Sequence, residues 1–268
     1  MQAFWNNPIF FKYRLLEKRE YRRSKSSFWV KQMLLVWCVL LPLAWVVMMT
    51  LPQILDSLTP KYNASRLLEA LDGLATNWLG ALGYSHLIVL TVAIGIALNG
   101  TCNLVTGERE KKTFESLQST MLSATEIVNG RLMSGLWPVL RELTIVSPLV
   151  LFLGLVSGFA FKAVLCVSLL YSTVFFYGMV GLWSSYFSKS TQNANRMATG
   201  IAASLVIGLP VLAGLSGFWD LMRLHPIYAS CLLEEGFGPV ILVTAFHFCG
   251  AALLWLDALR RERSAVRI

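Results

Sequence analysis

Charged residues are scarce in this sequence: Asp, Glu, Lys and Arg make up 14% of its 268 residues, whereas they make up about 25% of a typical soluble domain. Hydrophobic residues make up 56%. So few charges cannot cover the surface of a water-soluble globule of this length. The composition therefore predicts a protein that crosses a membrane several times and has little chain left for soluble domains.

Sequence patterns of nucleotide-binding and catalytic sites are absent too. There is no G-x-x-x-x-G-K-[ST] loop and no strand-rich segment, so the chain lacks the usual backbone nest for the phosphates of ATP. The H-E-x-x-H and G-x-S-x-G patterns are also missing. The five cysteines are scattered without a C-x-x-C pair, which is typical of small buried hydrophobes. We therefore expect no catalytic residue, metal or cofactor in this chain.

Six apolar segments lie along the chain. They predict an all-α membrane protein with six transmembrane helices between residues 28 and 258. The predicted spans are 28–51, 82–105, 132–161, 163–187, 197–217 and 240–256. The start of the third span is the least defined: Leu132 is slightly favoured over Leu143.

Basic residues cluster beside these spans, and for that reason the net charge of +8 does not indicate nucleic-acid binding. One side of the membrane would carry only four of them: Lys61, Arg66, Lys162 and Arg223. By the positive-inside rule, the other side is cytoplasmic. Both termini and the stretch between spans two and three are therefore predicted to be cytoplasmic.

The two ends of the chain are basic. Residues 1–27 are predicted to form an amphipathic interfacial helix, in which Asn7 suits the N-cap and Pro8 the first helical position. Its basic side would lie toward anionic lipid headgroups. The alternative is a solvated charge run that only fixes topology. Residues 259–268 are predicted to be a basic cytoplasmic tail.

The stretch from Gly107 to Arg131 is the most charged part of the chain interior. Glu108 and Lys112 are spaced as an i,i+4 ion pair, and an apolar helical stripe follows at Phe114, Leu117 and Met121. Ser123 and Glu126 are spaced as a capping box, so a new helix is predicted to begin near Ala124. The pattern predicts a surface helix that shows a ridge to the cytosol. The alternative is an ordinary amphipathic loop.

This stretch resembles the coupling-helix signature of type-2 ABC exporter permeases, which runs roughly E-R-E-x-G-T-x-E-x-L, then T-P-L-S, then E-I-x-x-G-K. The matching residues are Glu108, Arg109, Glu110, Thr113, Glu115, Leu117, Thr120, Leu122, Ser123, Glu126, Ile127, Gly130 and Arg131. Lys112 stands where the family often has Gly, and Met121 where it often has Pro. Both departures concern the bend between the two helices.

The resemblance implies a membrane-spanning permease subunit of an exporter in a bacterial inner membrane. A separate cytosolic ATPase would bind ATP and Mg, and a second permease subunit, identical or related, would complete the path. The coupling helix would cover 107–124, and 218–239 would form an external or re-entrant segment before the last span. The residues implied in ATPase coupling are Glu108, Arg109, Glu110, Thr113, Phe114, Glu115, Leu117, Leu122, Ser123 and Glu126.

Arg141 and Glu142 are adjacent charges within the third apolar segment. Charges at bilayer depth are costly and usually face a protein interior or an aqueous cavity. They are candidates for lining a translocation path or for contacting the second permease. The alternatives are an ion pair with polar groups elsewhere, or an extension of the helix into the cytosol.

Two other functions fit the sequence. The first is a membrane-embedded enzyme acting on lipid or peptide, which would need clustered catalytic residues near the spans; only Arg141 and Glu142 offer charges there. The second is a membrane anchor that recruits a cytosolic ATPase without transporting anything. Its sequence would look the same as that of a transport subunit.

Overall fold

A computed structural model of the chain describes residues 89–114, 122–156, 160–216 and 237–265, together with residues 8–10, 12, 15, 225 and 226. The described residues are helical apart from short connections and include no strand, which confirms the all-α prediction for this part of the chain. The predicted first span, most of the N-terminal helix and of the segment 218–239, and the ridge residues Glu115 and Leu117 lie outside the described residues.

Five helices among the described residues are long and apolar enough to cross a membrane, and they lie where spans two to six are predicted. These five are Val89–Glu110, Ala124–Phe152, Ala160–Phe187, Thr191–Ser216 and Gly238–Ser264. The elements are α1 (89–101), α2 (Leu104–Glu110), α3 (Ala124–Val156), α4 (Ala160–Phe187), α5 (Thr191–Ala203), a π-helical turn (Ser204–Gly208), α6 (Leu209–Ser216) and α7 (Gly238–Ala265).

Helix α4 is central to the packing. It lies against α3, α5 and α7, and its buried residues include Leu169, Val174, Met179 and Leu182. Because successive helices alternate in direction, the end of α2, the start of α3, the end of α4, the start of α5 and the end of α7 lie at one end of the bundle. We call it the charged end, since Glu108, Arg131 and Glu262 meet there.

Helices α5 and α7 extend well beyond the spans predicted for them. The last helix runs to Ala265, beyond the predicted end of the span at Leu256. Ala258, Leu259 and Glu262 are all buried there, so packing against the bundle extends a helix that hydropathy alone would end earlier. Helix α5 starts at Thr191, because the side chain of Ser190 accepts a hydrogen bond from the amide of Asn193 and caps the helix.

Glycines let the helices approach closely near the charged end. A Cβ atom on Gly135 of α3 would lie 2.6 Å from the carbonyl oxygen of Gly100 in α1. On α4, a Cβ atom on Gly181 would lie 3.0 Å from the carbonyl oxygen of Leu98. Small residues at such crossings are typical of helices that associate in membranes, because the backbones themselves come into contact.

We predict that Gly135→Ala destabilises the bundle by about 1–3 kcal/mol, the usual cost of overpacking. The added methyl group would meet backbone atoms of α1, which cannot rotate away. Gly95→Ala in α1 is the matched control, because nothing lies within 4 Å of its Cβ position. The melting temperature of the detergent-solubilised chain should fall for Gly135→Ala only; equal melting of the two variants would contradict this close approach.

Candidate functional site

The charged end is built around three adjacent residues of α2: Glu108, Arg109 and Glu110. A side chain of another helix caps the start of α2. The chain turns at Cys102 and Asn103, and the Oγ atom of Ser185 in α4 then lies 3.0 Å from the amide nitrogens of both Val105 and Thr106. The first amides of a helix have no partner within it, so α4 supplies the cap and sets where α2 begins.

Glu108 points into the bundle and pairs with Arg131 of α3. The Nη2 atom of Arg131 lies 2.7 Å from the Oε2 atom of Glu108, and its Nη1 atom lies 2.7 Å from the Oε2 atom of Glu262 in α7. The hydroxyl of Tyr186 in α4 donates to the same Glu262 oxygen at 2.7 Å and accepts from Nη1 of Arg131 at 2.8 Å. These four side chains join four helices.

This cluster is buried. The side chains of Arg131 and Glu262 have no exposed surface, and that of Glu108 is 5% exposed. Removing one partner of a buried ion pair typically costs about 3–5 kcal/mol, because the other charge is left uncompensated. The guanidinium of Arg131 also lies over the ring of Phe114, 5.3 Å from its centroid. Phe114 is therefore held against the cluster.

Arg109 and Glu110 reach two further helix ends. Nη1 of Arg109 donates to the carbonyl oxygens of Tyr186, at 3.3 Å, and Ser188, at 3.1 Å, where α4 ends. Glu110 accepts from the amide of Thr191 at 2.7 Å and from its hydroxyl at 3.0 Å, where α5 begins. A cation at a helix C-terminus and an anion at an N-terminus both complement the helix dipole. The three adjacent side chains thus bind three different helices.

Helix α2 ends in a left-handed turn at Lys112. The amide of Lys112 donates to the carbonyl of Arg109, and the amide of Thr113 to that of Glu108, which together form a Schellman motif. Lys112 has a φ of 54°, a conformation that favours Gly. The predicted i,i+4 pair of Glu108 with Lys112 is therefore wrong: Lys112 lies beyond the helix, and Glu108 pairs with Arg131.

The second helix begins as predicted, at Ala124. The Oε2 atom of Glu126 accepts from the amide of Ser123 at 2.9 Å, and the amide of Glu126 donates to the hydroxyl of Ser123 at 3.3 Å. This reciprocal pair is the predicted capping box. Both side chains are exposed. Leu122 is partly buried and packs against Ile127 and Ile9.

The structure divides the predicted coupling residues into two groups. Glu108 faces inward, and Arg109 and Glu110 bind other helices of the same chain. Arg109 and Glu110 are exposed but bonded to other helices, whereas Ser123 and Glu126 are exposed and bond to each other at the start of the second helix. Thr113 and Phe114 are half-buried between these groups.

Sequence reasoning missed two members of the cluster, Tyr186 and Glu262. Glu262 carried a weak signal: it is the one acidic residue in the Arg-rich terminal stretch that begins at Arg260. Nothing in the sequence around Tyr186 indicates its bond to a residue so distant along the chain. Residues this far apart in sequence are brought together only by packing.

Arg141 and Glu142 lie far from the charged end. They pair with each other, with 2.6 Å between Nη2 of Arg141 and Oε1 of Glu142. The neighbouring Thr144 lies 3.4 Å from the hydroxyl of Tyr171, which is near the middle of α4. The pair therefore lies at the level of the middle of the long helices, and the Arg141 side chain is 41% exposed.

Comparisons with models of protein families, with characterised proteins and with solved structures find no match to this chain.

We predict opposite effects for two neighbouring lysines of the turn. Lys112→Gly removes left-handed strain of roughly 1–2 kcal/mol, partly offset by about 0.4–1 kcal/mol of added freedom in the unfolded chain, so stability should rise. Lys111→Gly should lower stability, because Lys111 has an ordinary φ of −84°. This change relieves no strain and only adds freedom to the unfolded chain. Both variants lose one positive charge, and thermal unfolding in detergent compares them directly. A Lys112→Gly chain that melts below Lys111→Gly would contradict the assigned turn.

Proposed function

We propose that this chain is a membrane-spanning permease subunit of an ATP-binding cassette exporter. In this proposal the segment 107–124 is its coupling helix, driven by a separate cytosolic ATPase that binds ATP and Mg. The observation that carries the proposal is the binding of Glu108, Arg109 and Glu110 to the ends of three other helices. A segment that transmits force must be attached rigidly to what it moves.

The proposed coupling segment has an inner and an outer side. Its inner side, at Glu108, is locked into the bundle. Its outer side includes Lys111, Lys112 and Ser123, which are exposed, and Glu126 is exposed just beyond it. The short helix predicted for this segment would fit a groove on a partner protein. When ATP draws two ATPase subunits together, the ridge would move with the groove and carry the attached helix ends.

Orientation in the membrane follows from charge in this proposal. Lys189, Arg196, Arg260 and Arg263 are all exposed near the charged end, whereas Lys162 lies at the opposite end, near the start of α4. The excess of Lys and Arg supports a cytoplasmic location for the charged end. In this proposal the membrane is a bacterial inner membrane, and both termini lie on its cytoplasmic side. Six spans would result if the first predicted span crosses the same membrane.

Arg141 and Glu142 are proposed to lie at mid-bilayer depth, facing the translocation path or the second permease. Their level beside Tyr171 supports this depth. An Arg at the centre of a membrane helix costs about 3 kcal/mol, and the exposed 41% of the Arg141 side chain would have to avoid lipid. A second permease, identical or related, would cover that surface directly or enclose water with it.

The proposal is tested by purifying the tagged full-length chain from membranes in mild detergent and asking whether an ATPase accompanies it. We predict a stoichiometric ATPase whose turnover falls about tenfold, equivalent to about 1.4 kcal/mol, in Phe114→Ala and Glu115→Ala. Phe114 anchors the segment against Arg131, and Glu115 follows it on the predicted ridge. Arg263→Ala is the control, because this side chain is exposed in α7.

Two outcomes would contradict the proposal. If no ATPase accompanies the wild-type chain, the chain is not a coupled permease. If an ATPase is present but its turnover is the same in Phe114→Ala and wild type, the segment does not couple, and a passive anchor becomes the better description.

A further inference from the structure

Glu262 has no exposed surface although it lies in a strongly basic stretch. Its neighbours Arg260 and Arg263 are exposed, and Arg261 lies over the ring of Phe187 while donating to Asp257. On this last turn of α7, therefore, the side chain of Glu262 points into the bundle while those of its arginine neighbours do not. It reaches Arg131, the residue that also holds Glu108 of the proposed coupling segment.

We propose that Glu262 is a positioning residue of the coupling site, and that through it the last span takes part in coupling. This inference rests on the proposed function. In that proposal, the chain itself connects the segment only to the helices before and after it. The cluster adds a connection to α7, which is separated from the segment by more than half of the described chain.

The shape of the guanidinium makes this connection stiff. Arg131 is planar and offers its two terminal nitrogens in a fixed fork; one nitrogen binds the carboxylate of α2 and the other the carboxylate of α7, each at 2.7 Å. The distance between the two carboxylates is therefore set by the fork. Displacement of Glu108 must move Arg131, and with it Glu262 or the bond to it.

The cluster is poorly suited to stability alone. Nε of Arg131 and Oε1 of Glu262 are buried without a hydrogen-bond partner. Buried ion pairs can often be replaced by well-packed apolar residues without loss of stability. Charged side chains in this place, with two polar atoms unsatisfied, are better explained by the geometry that they impose on the helix ends.

The first measurement is ATP hydrolysis by the purified complex. Glu262→Ala should lower turnover about tenfold at an unchanged KM for ATP, because the nucleotide site lies in the partner. Arg263→Ala, one residue away and exposed, should leave turnover unchanged. The double variant with Phe114→Ala should be no slower than Phe114→Ala alone, since interacting residues of one unit are not additive.

The second measurement follows the segment without any ATPase. Val105 of α2 has no exposed surface, so a Val105→Cys chain should resist a membrane-impermeant maleimide in inside-out vesicles. Adding Glu262→Ala should raise its labelling at least severalfold, after subtraction of the same chain without Val105→Cys. Glu262→Gln keeps an acceptor oxygen for Tyr186 and should label less than Glu262→Ala; it replaces the alanine variant if that chain is not recovered from membranes.

The outcomes separate the two proposals. An ATPase missing from the wild-type complex contradicts the proposed function. Wild-type turnover in Glu262→Ala, beside reduced turnover in Phe114→Ala, overturns the positioning role alone. Unchanged labelling of Val105→Cys in the Glu262→Ala chain also overturns it, because the segment would then keep its place without this carboxylate.

Discussion

A guanidinium that is buried among helices needs charged or hydrogen-bonding partners inside the protein. The structure at the charged end depends on meeting this need for Arg131. Its side chain is fully buried, so its charge has to be matched within the protein. The partners come from α2 and α7, and the hydroxyl of Tyr186 in α4 links to both Arg131 and Glu262. Four helices therefore meet near one of their termini: α2, α4 and α7 end there, and α3 begins there. Loss of any one contribution leaves a buried charge or donor unmatched.

The same principle organises the helix ends around this cluster. Free backbone groups at a helix terminus need partners, and here they find them on other helices: Ser185 serves the start of α2, Arg109 the end of α4 and Glu110 the start of α5. Where α1 crosses α3 and α4, glycines instead bring backbones into contact. Directional polar bonds thus fix the position of the charged end, while close packing holds the helices beside it. The end of α2 is thereby bonded to three other helices.

Features that depend on nearby residues could be predicted from the sequence. The capping box at Ser123 and Glu126 and the helix start at Ala124 involve residues three positions apart, and the structure contains both. The predicted pairing of Glu108 with Lys112 is wrong, although it too depends on residues only a few positions apart. Helix spacing assumes that the helix continues, but it ends at Glu110, and a buried arginine from another helix is a stronger partner for Glu108 than an exposed lysine.

The sequence by itself determined the helical class of the described chain, the location of five long apolar helices and the start of α3, because hydropathy and capping act over one or a few turns. Only the tertiary structure decided that the final helix continues past Leu256 and that Glu262 and Tyr186 join Arg131. The physical reason is that burial is a property of the packed bundle. From sequence alone, an acidic residue among arginines is expected to be exposed. It becomes a buried partner only when α7 lies against α4.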